Sequence, residues 1–144
     1  KGNRKCEKIN AVIGPEEKEV EFCEITEGFT QMSGIYNSSY KDSMDRIQKK
    51  SNSKINIIKT KSTPFKKIIT SDKIIDFISI DIEGNELDVI NSINFNKYEI
   101  KVILVENNIP QKLNYINFFK ERNFSYFDRV GMDEIYFNKK YFSF

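Results

Sequence analysis

The sequence has no histidine, two cysteines, three prolines and six glycines among its 144 residues. Each shortage excludes something. Without histidine the chain lacks the commonest general acid–base and the usual zinc ligand sets. Cys6 and Cys23 are too few for a disulfide framework, so reduced thiols in a cytoplasmic setting are expected. The glycines are scattered, and none forms a glycine-rich turn after a strand. No apolar run approaches the roughly 20 residues that span a bilayer as a helix, and no signal peptide is visible. Neither sign of charge dominates: 23 Lys and Arg stand against 21 Asp and Glu, a net charge of +2. The basic residues are spread along the chain, so nucleic acid is not an expected partner. The longest basic cluster, Lys59 to Lys67, reads as a solvated face.

What the sequence does have is isoleucine and phenylalanine. They are large enough to give a 39% hydrophobic chain a real core in one domain, with no internal repeat and no visible boundary. The most organised stretch is Ile74 to Asn107. Ile74, Ile75, Phe77, Ile78, Ile80 and Ile82 form a nearly continuous apolar run, the pattern of an interior parallel strand covered on both faces. Asp81, Glu83 and Gly84 follow as a sharp acidic turn. Leu87, Ile90 and Ile93 then recur at helical spacing, and Lys101 to Val105 is a second buried strand ending at Glu106 and Asn107. This is a β-α-β unit. Ligands of open α/β sheets bind outside the carboxyl ends of the strands, and acids stand at both ends here.

The remaining elements are shorter. Strands are expected at Lys8 to Ile13, Glu19 to Ile25 and Lys54 to Lys59, with a loop over Thr26 to Tyr40 and a weak helix over Lys41 to Lys50. Thr63 and Pro64 predict an N-cap and first position of a short helix carrying Phe65, Ile68 and Ile69. A helix over Pro110 to Arg122 ends at Asn123, and Tyr126 to Val130 with Glu134 to Asn138 forms an antiparallel hairpin. Tyr115, Phe118 and Phe119 read as core packing. The expected fold is therefore α/β, with a mostly parallel sheet closed by a C-terminal antiparallel hairpin.

The segments IDFISIDIEGNELDVI at 75–90, KVILVEN at 101–107, FSYFDRVGMDEIYFNKK at 124–140 and NAVIGPEEKEVEF at 10–22 are, in this order, similar to the FkbM-type methyltransferases. The resemblance implies a Rossmann-like class I methyltransferase sheet and transfer of a methyl group from S-adenosyl-L-methionine to an oxygen of a sugar, glycan or other small hydroxylated acceptor. It also implies that residues 1–144 correspond to the carboxyl-terminal part of that domain. The first strands, with their glycine-rich cofactor loop and ribose-binding acid, have no counterpart here. A non-catalytic remnant or scaffold that binds no cofactor alone is the alternative, and it would leave an open sheet edge.

The resemblance places the acidic turn beside the methyl donor. Asp81 and Glu83 are then the catalytic candidates, for orienting an acceptor hydroxyl, taking its proton or stabilising the sulfonium. Asp81 and Gly84 are candidates for cofactor contact, together with Asn10 and Ala11, which are similar to the position where the adenine lies. Glu106 and Asn107 are substrate candidates on the same rim. The bland readings are helix capping for Glu83 and Asn85, a tight turn for Gly84 and a solvated loop start for Glu106 and Asn107. No metal is assigned, although Asp81, Glu83 and Glu86 could supply oxygens to magnesium. The Asp-x-Glu pair of 3′–5′ exonucleases is disfavoured, because no tyrosine has an aspartate four residues later. The acceptor's identity and the oligomeric state are not readable.

Overall fold

The structure is a computed structural model and describes residues 5–37, 40–41, 53–70, 74–111 and 113–143. Beyond Lys41, the weak helix expected over Lys41 to Lys50 lies outside the described residues. The chain divides into two compact units. The first comprises Lys1–Thr70 with Glu83–Ser92, and the second Ser71–Ile82 with Ile93–Phe144.

The first unit holds a four-stranded sheet in the order β1-β4-β2-β3, with β1 Val12–Gly14, β2 Glu19–Glu27, β3 Gly34–Ile35 and β4 Lys54–Pro64. β1 runs parallel to β4, whereas β2 is antiparallel to both β4 and β3. The alternation in β2 turns Cys23 and Ile25 inward, where they pack with Tyr40, Met32, Tyr36 and Ile55. The stretch expected as a loop contains a 3-10 turn, Thr30–Met32, and the short strand β3.

β4 runs much further than Lys59. Thr63 and Pro64 are aligned with Ile13 and Gly14 of β1, so strand pairing prevails over the local N-cap signal. One helical turn, α1 (Phe65–Ile68), follows with Pro64 extended at its cap. Helix α2 (Glu86–Ser92) packs against β1. Its buried residues are Glu86, Val89 and Ile90; of the predicted stripe Ile90 and Ile93 are buried and Leu87 is half-buried.

The second unit holds a sheet in the order β5-β6-β8-β7, with β5 Ile75–Ile80, β6 Ile100–Glu106, β7 Phe124–Val130 and β8 Asp133–Asn138. β5 and β6 are parallel, as predicted, and β7 and β8 form the predicted antiparallel hairpin, with β8 also antiparallel to β6. β6 is interior and buries Ile100, Ile103 and Val105.

Two expectations are corrected here. Each sheet contains one parallel and two antiparallel pairings, so the fold is mixed α/β rather than mostly parallel. β5 is a terminal strand of its sheet and is not covered on both faces: Phe77 is 56% and neighbouring Ile74 49% exposed. An apolar run fits a buried strand, but the sequence alone does not supply the neighbours that would bury it.

Helix α3 (Tyr115–Lys120) has 6 residues, under two turns, rather than the roughly three and a half of the expected Pro110 to Arg122. Asn114 stops it at the front, its side chain accepting the Asn117 amide at 3.3 Å. Asn123, with φ +66°, turns the chain beyond its end, as predicted. Tyr115 and Phe119 are buried, and Phe119 meets Phe124, Tyr136 and Phe95 in tilted or edge-on contacts. The predicted packing role of these aromatics is what the structure shows. Cys23 is buried and Cys6 exposed, and no disulfide joins them. Among the described residues no helix is long and apolar enough to cross a membrane.

Candidate functional site

In the second unit the parallel β5/β6 pairing sets Ile80 beside Val105. The next residues along each strand, Asp81 and Glu106, therefore emerge side by side at the carboxyl ends. Their nearest carboxylate oxygens are within 4.8 Å. The antiparallel partner brings a third acid, because Glu106 lies opposite Asp133 at the start of β8. The Asp81 carboxyl titrates above the usual aspartate range, first because burial disfavours its charged form and second because Asp133 repels it. A carboxylate held this way accepts a proton more readily than an ordinary surface aspartate. Asp81 and Glu106 could share a divalent cation, but two carboxylates leave most of an octahedral shell to water.

Below this rim lies a buried polar network that sequence reasoning missed. Glu134 is only 5% exposed. Its carboxylate accepts from Asn107 Nδ2 at 2.9 Å, from Arg129 Nη1 at 3.2 Å and from the Tyr136 hydroxyl. Arg129 also donates to the carbonyls of Asn107 (2.8 Å) and Gly131 (3.0 Å). Burial and the hydrogen bond to Glu134 both push the Tyr136 hydroxyl up. The available signal was an acid and a tyrosine two apart in β8, hence on one face, beside an otherwise apolar inward pattern.

The network also takes in Asn107, the second substrate candidate of the rim, which is buried and hydrogen-bonded. Its amide nitrogen donates to Glu134 and to the Leu113 carbonyl at 3.0 Å, and its side-chain oxygen accepts from Ile109 N–H at 3.3 Å. Its backbone N–H donates to the Met132 carbonyl at 2.8 Å. Asn107 fixes the end of β6, and both hydrogens of its side-chain amide are engaged within the chain.

The rest of the acidic turn belongs to the first unit. β5 ends at Ile80, so Asp81 and Glu83 lie beyond it, in the turn. Glu83 has φ +58° and Gly84 φ +103°. The turn is closed by Glu86, whose carboxylate accepts the Gly84 N–H at 2.9 and 3.1 Å. Asn85, the expected cap, points elsewhere: its side-chain oxygen accepts from Asn37 Nδ2 at 2.8 Å, and Asn37 Oδ1 accepts the Tyr40 N–H at 2.8 Å. The Asn85 amide nitrogen is buried with no hydrogen-bond partner among the described residues. A Cβ at Gly34 would stand 2.9 Å from the Tyr40 ring and 3.3 Å from Glu83 Cβ, so glycine is what lets β3 lie this close to the turn. Burial also raises the Tyr40 hydroxyl, which donates to the Met32 carbonyl. Asn10 is exposed and Ala11 half-buried, immediately before β1 at one end of the first sheet.

The fold defines the broad class as α/β with mixed sheets, and acids gather where two of its parallel strands end. The chain belongs to the FkbM methyltransferase-domain family: the family model for the methyltransferase FkbM domain matches residues 1–126. Comparison with curated proteins and with solved structures finds no match.

Proposed function

We propose that the chain acts in methyl transfer from S-adenosyl-L-methionine to a hydroxyl oxygen of a sugar, glycan or other small acceptor, within a Rossmann-like class I methyltransferase domain. The observation that carries this reading is the parallel β5/β6 pair, which sets the Asp81 and Glu106 carboxylates side by side in a chain of the FkbM family. Asp81 receives the acceptor's proton, or orients its hydroxyl for in-line attack. Its raised affinity for a proton suits the first role. Glu106 binds an acceptor hydroxyl. Glu83 and Gly84, both at positive φ, shape the donor side of the turn. Asn10 and Ala11 would hold the adenine, as the family resemblance implies. When bound, the cofactor supplies the electrophilic methyl group, and the chain's own residues position the oxygen and accept its proton.

One observation favours the second reading, a remnant that binds no cofactor alone. β5 ends its sheet, with Phe77 exposed, and no glycine-rich turn follows any strand in these residues. Under the catalytic reading, further strands pair there and complete the donor site, so the 144-residue chain by itself binds the cofactor weakly. Calorimetric titration with S-adenosylhomocysteine, on this chain and on the longest polypeptide containing it, separates the two. Binding by the longer protein only, with methylation lost in Asp81→Asn, supports the catalytic reading. Failure of both to bind supports the remnant.

A further inference from the structure

We propose that Glu134 and Arg129 form a buried strut that sets the spacing of the Glu106 and Asp133 carboxylates beside Asp81, making Glu134 a positioning residue for the reaction above. The inference rests on that reading for its purpose and on geometry for its existence. Glu106 and Asp133 are direct cross-strand partners, and like charges in that relation push strands apart. The Asp81 carboxylate adds a third negative charge from β5. Something must hold the ends of β6 and β8 together against this repulsion.

The strut does so from below. Each of its anchoring residues is the chain neighbour of a rim acid: Asn107 follows Glu106, and Glu134 follows Asp133. Glu134 binds the Asn107 side chain, and Arg129 from β7 binds the Asn107 carbonyl and Glu134 together. The guanidinium reaches the β7–β8 turn as well, through the Gly131 carbonyl. A planar fork with fixed donor directions holds three chain segments at set distances, which a flexible ammonium would not. Leucine and phenylalanine could fill the same volume without the cost of burying a charge. The ionic strut adds a defined geometry, and the geometry it defines is that of the rim.

The test reads the acids themselves. Carboxyl-carbon resonances of Asp81, Glu106 and Asp133 are followed from about pH 3 to pH 8 in the 144-residue protein, in Glu134→Gln and in Tyr136→Phe. Glu134→Gln replaces an acceptor facing Arg129 and Asn107 by an amide; loss of its charge lowers the rim midpoints together, and loss of the strut is expected to move at least one of them by about half a unit or more relative to the others. Tyr136→Phe removes a hydrogen bond but leaves both anchors, and is expected to leave all three midpoints in place. Midpoints unchanged relative to one another in a folded Glu134→Gln protein overturn the proposal. Should that variant not fold, Arg129→Lys decides: it keeps the charge and loses the fork, so unmoved midpoints overturn the strut and moved ones support it. Failure of the methyl-transfer reading shows separately, as a wild-type domain without turnover whose rim acids still respond to Glu134→Gln.

Discussion

At the scale of single residues, the chemistry concentrates on Asp81. Its raised pKa has a direct consequence for folding. In the pH interval between the ordinary aspartate value and the higher folded value, the folded chain binds more protons than the unfolded chain. Stability from this group is therefore complete below the ordinary value and is lost as pH rises through the folded value. Asp81→Asn removes the charge and with it the penalty. The variant should be slightly more stable than wild type at neutral pH, by no more than about 0.5 kcal/mol because the carboxylate is only partly withdrawn from solvent, and the gain should vanish in acid. Urea melts at pH 3 and pH 7 check this, and a stability loss at pH 7 would contradict it. The same substitution is predicted to abolish methyl transfer, so Asp81 would combine a small cost in stability with a large gain in function, as strained or repelling groups at active sites often do.

The turn from Asp81 to Glu86 shows at the element scale what was readable beforehand. Its position after an apolar strand, the helix behind it and the second strand ending in Glu106 were all legible, because periodicity and turn residues are local properties. The length of β4 was not, because Thr63 and Pro64 look like a helix start until β1 is placed beside them. The Glu134 strut was not legible either. A buried acid becomes recognisable only when its arginine, asparagine and tyrosine partners arrive from three different segments. The local backbone gives a sharp prediction. Gly84 sits at φ +103° with open space where a Cβ would go, so any penalty for Gly84→Ala comes from conformation alone. The expected loss is about 1–2 kcal/mol, read as a lower midpoint in thermal or urea unfolding. Asn123, at φ +66° behind α3, offers the complementary case: Asn123→Gly should be neutral or mildly stabilising, and Asn123→Ala destabilising by about 1 kcal/mol.

For the molecule as a whole, strand order is the feature that sequence could not supply. The residue pattern of β5 suits an interior position, yet it closes one side of a four-stranded sheet. Its outward Phe77 is more than half exposed, and Ile74 just before it nearly so. Terminal strands with apolar side chains and unpaired backbone groups are templates for another strand unless charge or a bulge blunts them. β5 carries one such charge, Asp76, whose side chain pairs with Lys101 at 2.7 Å. The chain should therefore self-associate as its concentration rises, through this edge. Phe77→Lys places a second charge on the strand at a site where little packing is lost, so it should leave the unfolding midpoint within about 0.5 kcal/mol of wild type while reducing association. Sedimentation velocity over a hundredfold concentration range would show it as a sedimentation coefficient that climbs for wild type and stays flat for Phe77→Lys. Equal association by both proteins would mean that the edge of β5 is not the contact. A longer polypeptide that supplies a strand at that edge should behave like Phe77→Lys without any substitution, because the same backbone groups would already be paired.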